Sequence, residues 1–320
     1  MSPQIQPRYI HRYTSRSEVP YEDADNAVIH PICGSNAVVS KVHCRRTREP
    51  FAKKSFHNVY TSSSRRMVKK ELAILELCRH RNLITLVDAY EVDEEDEGAV
   101  HIVMAPWAPY TLTMFLRSTD SKRTKKCPWF AIDSPDSDKH IYRIMLEVVD
   151  AVAYLHDKSI KHKDLKPDNI LLLHENTTAI TPILTDVGVS KVFRNGGPTD
   201  YIGSSYVFLA PEQLKEQDSS LKADIWQLGC CLAMLLTTAR GGKTALERLW
   251  TSFQYTDEDC SCNIAGEYDS FMETLRVEFA DASDEQREAY RIVTSTLARD
   301  LNTRPGIHTV RGLLKDLVEA

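Results

Sequence analysis

The side chains best suited to chemistry lie in one short segment, Ile160 to Leu171. Within six positions this segment carries a carboxylate, Asp164, a lysine, Lys166, and an amide, Asn169, around a proline that stiffens the loop. A carboxylate can orient an attacking hydroxyl and accept its proton, a lysine can neutralise a moving phosphoryl group, and an amide oxygen can bind magnesium. This combination predicts phosphoryl transfer to a hydroxyl.

A further carboxylate follows in the segment Thr185 to Gly188, directly after an apolar run that predicts a strand, Ile180 to Leu184. Asp186 is a candidate magnesium ligand, and the glycine two positions later lets the chain turn. Taken alone, Asp-x-Gly is an ordinary turn. Its position between a predicted strand and a polar loop that ends at Ala210 to Glu212 favours a metal site.

These segments together resemble the eukaryotic protein kinase family of the serine/threonine type, and its divergent fungal members in particular. Ile160 to Leu171 is similar to the catalytic loop, in which a lysine two places after the aspartate is typical of serine/threonine kinases. Asp186 to Gly188 resembles the Asp-Phe-Gly motif, and Ala210 to Glu212 resembles the Ala-Pro-Glu motif. The resemblance covers roughly residues 27 to 316 and implies that the chain uses ATP and Mg²⁺.

The resemblance implies an α+β, two-lobed fold. A small β-rich N-lobe with one regulatory helix is expected over residues 27–107, and a larger, mainly helical C-lobe over residues 108–320. Residues 1–26 are polar and contain three prolines, which predicts an N-terminal tail. The basic stretch at about 117–138 is interpreted as a flexible surface insertion, with a docking loop as the alternative.

The hydrophobic pattern indicates the same division of the chain. Short apolar runs between turn residues predict strands within residues 28–52, at 83–90 and at 99–104. Apolar residues at steps of three and four predict a long helix over 139–157, and an almost wholly apolar segment at 223–237 predicts a buried helix.

Residues for nucleotide binding also follow from the resemblance. Phe51 to Lys54 is similar to the family's Val-Ala-Ile-Lys strand, which implies that Lys54 holds the α- and β-phosphates and that Lys53 faces solvent. Glu71 would be the partner of Lys54, and Ile102 to Trp107 would form the hinge beside adenine. The implied nucleotide-binding residues are Gly34, Val39, Ala52, Lys54, Glu71, Met104, Ala105, Trp107 and Leu171. The implied magnesium ligands are Asn169 and Asp186, and the implied catalytic residues are Asp164 and Lys166.

Other segments resemble parts of the family that support the site. Residues 223–229 would pin the catalytic loop, and Glu212 would form an ion pair with Arg304. The nucleotide loop departs from the family, because only Gly34 of its glycine pattern remains, and Val187 replaces the phenylalanine after the magnesium aspartate.

The predicted function is transfer of the γ-phosphoryl group of Mg-ATP to a hydroxyl of another protein. The altered glycine loop leaves open a pseudokinase, which is a binding or scaffolding module of the same fold. The six polar residues of the mechanism argue against it: Lys54, Glu71, Asp164, Lys166, Asn169 and Asp186. A small-molecule kinase is a further alternative, but it does not explain Ala210 to Glu212 or the segment with Arg304.

Composition narrows the classes of partner. The chain has 320 residues, of which 42% are hydrophobic, and its net charge of -5 argues against general binding of nucleic acid. It contains no apolar stretch of about 18 residues that would span a membrane, and its polar start predicts a cytoplasmic or nuclear protein. The acidic run at 91–97 is interpreted as a solvated hairpin loop, with a binding site for a basic partner as the alternative.

Overall fold

The computed structural model describes residues 10–24, 30–31, 37–94, 98–174, 180–187, 204–215, 220–254 and 262–320. In these ranges a β-sheet with one helix precedes a mainly helical region, which confirms the predicted α+β, two-lobed architecture. The two regions meet at the hinge after Ala105.

A single sheet forms the N-lobe. Its described strands are β1 (His11–Tyr13), β2 (Tyr21–Asp23), β3 (His30–Pro31), β4 (Ala37–Cys44), β5 (Pro50–Phe56), β6 (Thr85–Val92) and β7 (Val100–Ala105). Their order across the sheet is β1-β6-β7-β5-β4-β2, with β3 also paired to β4. The register places Val39 opposite Lys54, and Ala52 opposite Met104. Residues expected to contact the nucleotide are therefore neighbours on adjacent strands.

Helix α1 (Ser62–Leu77) lies across one face of this sheet. Thr61 begins the helix with a capping box, because its hydroxyl accepts a hydrogen bond from the backbone of Ser64 and its own backbone N–H donates to the Ser64 hydroxyl. The helix buries the apolar stripe Val68, Leu72 and Leu75. Glu71 lies within this stripe and is also buried, so its carboxylate points toward the sheet.

The prediction of an N-terminal tail is wrong for residues 10–24. β1 extends the sheet beside β6, and β2 pairs with β4, so this segment covers both edges. Between these strands Val19 is buried on the face of the sheet opposite α1. The apolar residues packed with it are Val42, Tyr90, Val92, Val103, Tyr13, Tyr21 and Phe51. The sequence did not reveal these strands because two three-residue strands are too short to show a hydrophobic period.

Two charged positions also contact this segment instead of solvent. The Lys53 ammonium lies 2.6 Å from the Asp23 carboxylate, so Lys53 does not simply face solvent as predicted. In the acidic run, the Arg12 guanidinium lies 2.5 Å from the Asp93 carboxylate, and the Asp93 N–H donates to the Tyr13 carbonyl. Part of the predicted solvated loop is thus bonded to the N-terminal segment, while residues 95–97 lie outside the described ranges.

The C-lobe is built around two long central helices. Its described helices are α2 (Leu112–Arg117), α3 (Asp120–Lys126), α4 (Pro135–Asp157), α5 (Ser204–Val207), α6 (Pro211–Leu214), α7 (Leu221–Thr251), α8 (Tyr268–Glu278), α9 (Asp284–Thr296) and α10 (Ile307–Glu319). A short hairpin, β8 (Ile170–His174) and β9 (Ile180–Leu184), lies between α4 and α5. Helix α7 is buried throughout residues 223–237, as its composition predicted. No helix in the described ranges is both long and apolar enough to cross a membrane.

Residues 117–138 are a packed part of the C-lobe, not the predicted flexible surface insertion. α3 and the first residues of α4 lie within this stretch. Its interior holds Arg123, Cys127 and Phe130, each with at most 1% of its surface exposed. A basic, proline-bearing sequence suggested a loop, but the Arg123 guanidinium lies over the rings of Phe115 on α2 and Phe130 before α4, so the packing of neighbouring elements buries it.

Candidate active site

Lys54 on β5 is the centre of a buried cluster of charges. Its residue surface is 5% exposed, and its ammonium donates to the Glu71 carboxylate at 2.8 Å and to the Asp186 carboxylate at 2.7 Å. A strand, a helix and the segment after β9 therefore converge on one nitrogen atom. The predicted pair of Lys54 and Glu71 is present, and Asp186 joins it.

The two carboxylates keep Lys54 charged. Burial by itself would lower the pKa of the Lys54 ammonium, but the adjacent carboxylates of Asp186 and Glu71 outweigh burial and raise its pKa above the ordinary lysine value. Lys54 therefore carries a positive charge at neutral pH in a site with little water. Such a charge is suited to binding phosphate oxygens.

The alternation of β5 explains why Lys54, and not Lys53, enters the site. Successive side chains of a strand point to opposite faces, so Lys53 pairs with Asp23 while Lys54 faces α1. The residues expected to enclose adenine belong to one apolar cluster between the lobes: Ala52, Met104, Val39, Trp107 and Leu171. The structure thus brings together residues that are up to 132 positions apart in sequence.

The catalytic loop gathers its three polar groups around one carboxylate. The Lys166 ammonium lies 3.1 Å from the Asp164 carboxylate. The Asn169 amide nitrogen donates to the Asp164 carbonyl at 2.7 Å and to its carboxylate at 3.3 Å. The spacing in sequence therefore corresponds to direct contact in space, which holds the Asp164 carboxylate in one orientation.

Asp224 of α7 fixes the backbone of this loop through hydrogen bonds. Asp224 is 1% exposed, and its carboxylate accepts hydrogen bonds from the backbone N–H groups of His162 at 2.8 Å and Lys163 at 2.9 Å. The His156 ring lies 3.0 Å from the same carboxylate. Burial would raise the pKa of Asp224, but these donors outweigh it and lower the pKa below its ordinary value.

His162 connects the loop to the segment that carries Asp186. Burial lowers the pKa of its imidazole, so the ring is neutral at neutral pH. Nε2 donates to the Thr185 carbonyl at 2.9 Å, while Nδ1 accepts a bond from the Asp164 N–H at 3.4 Å. The Thr185 N–H donates to the Asn169 carbonyl at 3.0 Å. Asn169 and Asp186 are therefore held close to each other through the backbone.

Two non-glycine residues of the site adopt the left-handed conformation. Lys163 has φ 71° and Asp186 has φ 58°. Such a conformation costs about 1 kcal/mol or more for a residue with a Cβ atom. The hydrogen bond that the Lys163 N–H donates to Asp224, and the one that the Lys54 ammonium donates to Asp186, offset this cost. Lys163 directly precedes Asp164, and Asp186 itself carries a carboxylate of the site.

The oxygen atoms of Asp186 and Asn169 fit a magnesium ion. Magnesium prefers oxygen ligands and usually binds through one or two carboxylates together with substrate phosphates. The Asn169 nitrogen already donates to Asp164, so its carbonyl oxygen is the amide atom that can bind a cation. The described residues contain no group of three or more histidine, cysteine or acidic side chains that would bind a metal alone. This chemistry suits a cation shared with phosphates.

Comparison with known proteins agrees with this geometry. The model of the protein kinase domain family matches residues 33–313. The chain belongs to the protein kinase family. Human serine/threonine-protein kinase H1 is 30% identical over 213 residues, which cover 64% of this chain and 44% of that protein. Human death-associated protein kinase 2 is 29% identical over 211 residues, covering 64% and 52%.

Human serine/threonine-protein kinase DCLK3 is 28% identical over 204 residues, which cover 63% of this chain and 28% of that protein. The matched region of this kinase domain thus spans about half the length of these curated relatives, or less.

The ion pair predicted to anchor the C-lobe of the kinase is present. The Arg304 guanidinium is fully buried and donates to the two carboxylate oxygens of Glu212 at 2.8 and 3.2 Å. It also donates to the carbonyl groups of Ala298 and Lys222. This pair joins the Ala-Pro-Glu segment to the loop between α9 and α10 and is not part of the site.

Gln227 lies in the segment predicted to pin the catalytic loop and contacts that loop directly, although the sequence did not single it out. Its side-chain oxygen accepts a hydrogen bond from the Leu165 N–H at 3.0 Å, and its nitrogen donates to Gln213. It lies three positions after Asp224, on the same face of α7. Two polar residues at this spacing inside an otherwise apolar helix were the available signal, because buried polar groups require partners.

Some predicted positions lie outside the described residues. Gly34, the remaining glycine of the nucleotide loop, is one, and Gly188 is another. Val187 is described and buried in the apolar core of the C-lobe. The hinge residues Ala105 and Trp107 flank Pro106. Because proline has no backbone N–H, the first N–H after Ala105 is that of Trp107.

Proposed function

We propose that this kinase domain transfers the γ-phosphoryl group of ATP, with Mg²⁺, to a serine or threonine hydroxyl of a protein. The observation that carries the proposal is the bonding of Lys54 to both Glu71 and Asp186, at 2.8 and 2.7 Å. Three charged groups that are costly to bury are held together here. A phosphate-binding charge next to a magnesium ligand accounts for that cost.

Asp164 is the proposed base of the reaction. Its carboxylate is oriented by the amide of Asn169 and can accept the proton of the attacking hydroxyl. Lys166 contacts the same carboxylate, so its ammonium lies beside the path of the transferred group and can neutralise its charge. Both groups are positioned before substrate arrives, which is the main contribution of a protein to phosphoryl transfer.

Asp186 and Asn169 are the proposed ligands of the magnesium ion. When bound, Mg²⁺ neutralises phosphate oxygens and aligns the transferred group. Lys54 is proposed to hold the α- and β-phosphates, with Glu71 keeping its ammonium in place. The other residues proposed to bind the nucleotide are Gly34 of the nucleotide loop and, around adenine, Val39, Ala52, Met104, Ala105, Trp107 and Leu171.

The proposed class of substrate is a protein that carries serine or threonine. Lys166 is typical of kinases that act on these hydroxyls, and the relatives described above carry serine/threonine-protein kinase or protein kinase in their names. The pair of Glu212 and Arg304 supports a protein kinase, because a small-molecule kinase of related fold would not explain these two segments.

A pseudokinase is the second candidate, favoured by the single glycine at 32–37 and by Val187. One experiment separates the two functions. The chain is incubated with labelled Mg-ATP and a generic protein substrate, alongside Asp164→Asn, while nucleotide binding is followed by thermal stabilisation. The matched control is Asp316→Asn, the same change at an exposed position of α10.

Loss of transfer in Asp164→Asn, with nucleotide binding kept and Asp316→Asn active, supports the kinase. Nucleotide binding without transfer in the unaltered chain supports the pseudokinase. Transfer that persists in Asp164→Asn contradicts the assignment of Asp164 as base.

A further inference from the structure

Helices α2 and α3, residues 112–126, form a surface with an excess of positive charge that the proposed reaction does not use. We name this surface the basic platform. It carries four exposed cations: Arg117, Lys122, Lys125 and Lys126. The chain as a whole has a net charge of -5, so this local excess is opposite in sign to the rest of the molecule.

A buried arginine makes the basic platform rigid. The Arg123 guanidinium has no exposed surface and donates to the carbonyl groups of Phe115, Leu116 and Ser118 at 3.0 to 3.1 Å. It also lies over the rings of Phe115 and Phe130, at 5.1 and 5.3 Å. Since these carbonyls belong to the end of α2, Arg123 fixes α3 relative to α2.

Burial distinguishes the anchor from the outward cations. Lys122 is followed by Lys125 and Lys126 at three and four positions, so these three exposed lysines are neighbours on the surface of α3, while Arg123 is buried against α2. On α2, Met114 and Arg117 are three positions apart, and both are exposed. The platform thus presents four cations and one flexible apolar side chain on its outer surface.

The charges of the platform are free to bind a partner. Within the described ranges, no carboxylate forms an ion pair with Arg117, Lys122, Lys125 or Lys126; Lys126 lies over the Tyr110 ring at 5.5 Å. Many exposed cations elsewhere are paired, as Arg276 is with Glu273. An acidic ligand would therefore not have to displace an internal carboxylate from the platform.

The platform lies next to the catalytic loop. Helix α2 packs against the turn Pro167–Asn169, and the Tyr110 carbonyl, just before α2, accepts a bond from the Leu172 N–H at 2.7 Å. Thr111 is bridged to Leu171, two positions after Asn169. A peptide held on the platform therefore keeps its neighbouring residues close to Asp164.

We infer that the basic platform docks an acidic segment of the protein substrate while a nearby hydroxyl is phosphorylated. This inference rests on the proposed function. Charge complementarity supplies the attraction, and the exposed Met114 adds an apolar contact of the kind that peptides use. The net negative charge of the whole chain disfavours a long polyanion such as nucleic acid, which would extend beyond four cations.

Docking is tested by measuring the affinity of a short labelled peptide that contains a serine and a run of glutamates, by fluorescence anisotropy without ATP. The charge-reversed variant is Lys122→Glu with Lys125→Glu and Lys126→Glu. A control with the same change in net charge reverses Arg276, Arg291 and Lys315, which are exposed on other helices. A third variant replaces the three platform lysines with arginine, which keeps their charge.

We expect the platform reversal to weaken binding by about tenfold, as for a few exposed ion pairs, while the distant reversal and the arginine variant change it by less than about twofold. In turnover, the reversal should raise KM for the acidic peptide and leave its kcat unchanged. A peptide with glutamines in place of the glutamates should be phosphorylated equally by all variants.

Equal weakening by the platform and distant reversals overturns the inference, because net charge alone would then explain binding. Tighter binding of a single-stranded oligonucleotide of equal charge, lost in the platform reversal, would assign the surface to nucleic acid instead. If no variant phosphorylates any peptide, the proposed function fails, but the binding assay still decides whether the platform docks an acidic peptide.

Discussion

Lys54 and Asp224 are both buried charges, yet the partners that stabilise them differ in kind. Asp224 accepts hydrogen bonds from two backbone N–H groups and the ring of His156, all within the C-lobe. Lys54 is held by two carboxylates, one on α1 and one after β9. The first arrangement depends on backbone that the core keeps in place. The second depends on side chains from separate elements.

The difference indicates which part of the site can change. The backbone donors around Asp224 lie within one rigid lobe, so the catalytic loop is organised whenever the C-lobe is folded. The Lys54 cluster is complete only when α1 brings Glu71 to the sheet. We therefore expect loss of Asp224 to affect folding, and loss of Lys54 to affect turnover.

The largest effect is expected for Asp224→Ala. It leaves the N–H groups of His162 and Lys163 buried without an acceptor, and removing one partner of a buried charged network costs about 3–5 kcal/mol. Urea unfolding and kinase activity should both show the loss, while Asp316→Ala on α10 should be neutral. A stable, active Asp224→Ala protein would contradict the role of Asp224 as an anchor of the loop.

Lys54→Met tests the other half of the comparison. Turnover should fall by about a hundredfold or more, because a positioned charge in an active site contributes on that scale. The free energy of unfolding should fall less than in Asp224→Ala, because burial raises the pKa of Glu71 and a proton can neutralise it once Lys54 is gone. The control is Lys53→Met, the same change one position earlier on the opposite face of β5, where the lysine contacts Asp23. Equal loss of activity in both variants would refute the assignment of Lys54.

Val19→Asp asks whether the N-terminal segment belongs to the fold. Val19 is buried opposite α1, so an aspartate there introduces an unpaired buried charge and should cost about 2–3 kcal/mol of unfolding free energy. Val87→Asp is the matched control, since Val87 is 41% exposed on β6. If the two variants are equally stable, residues 10–24 do not contribute to the core of the N-lobe.

The pH dependence of stability should show the smallest effect. The pKa of Asp224 is lowered in the folded chain, so its contribution to stability is complete above the ordinary aspartate pKa of about 3.9 and is lost as pH falls through the folded-state value. The difference in unfolding free energy between the unaltered chain and Asp224→Asn should therefore be constant near neutral pH. It should shrink below about pH 4. A difference that grows on acidification would contradict the lowered pKa.

The fold and much of the site could be predicted because their signals are local. Asp164, Lys166 and Asn169 are close in sequence, and the structure finds them in mutual contact. The helix at 139–157 and the buried helix at 223–237 follow from their apolar patterns. The N-terminal strands could not be predicted because their partner strands lie elsewhere in the chain. The burial of Arg123 could not be predicted because it depends on how α3 packs against α2.

The sequence by itself determined which residues are available for chemistry and which segments are helical or extended. Side-chain type and short-range spacing carry that information directly. Only the tertiary structure decided that Lys54 bonds to both Glu71 and Asp186, that Gln227 supports Leu165, and that Arg123 is an internal anchor. Each of these contacts joins separate elements, and the packing of those elements sets which side chains meet.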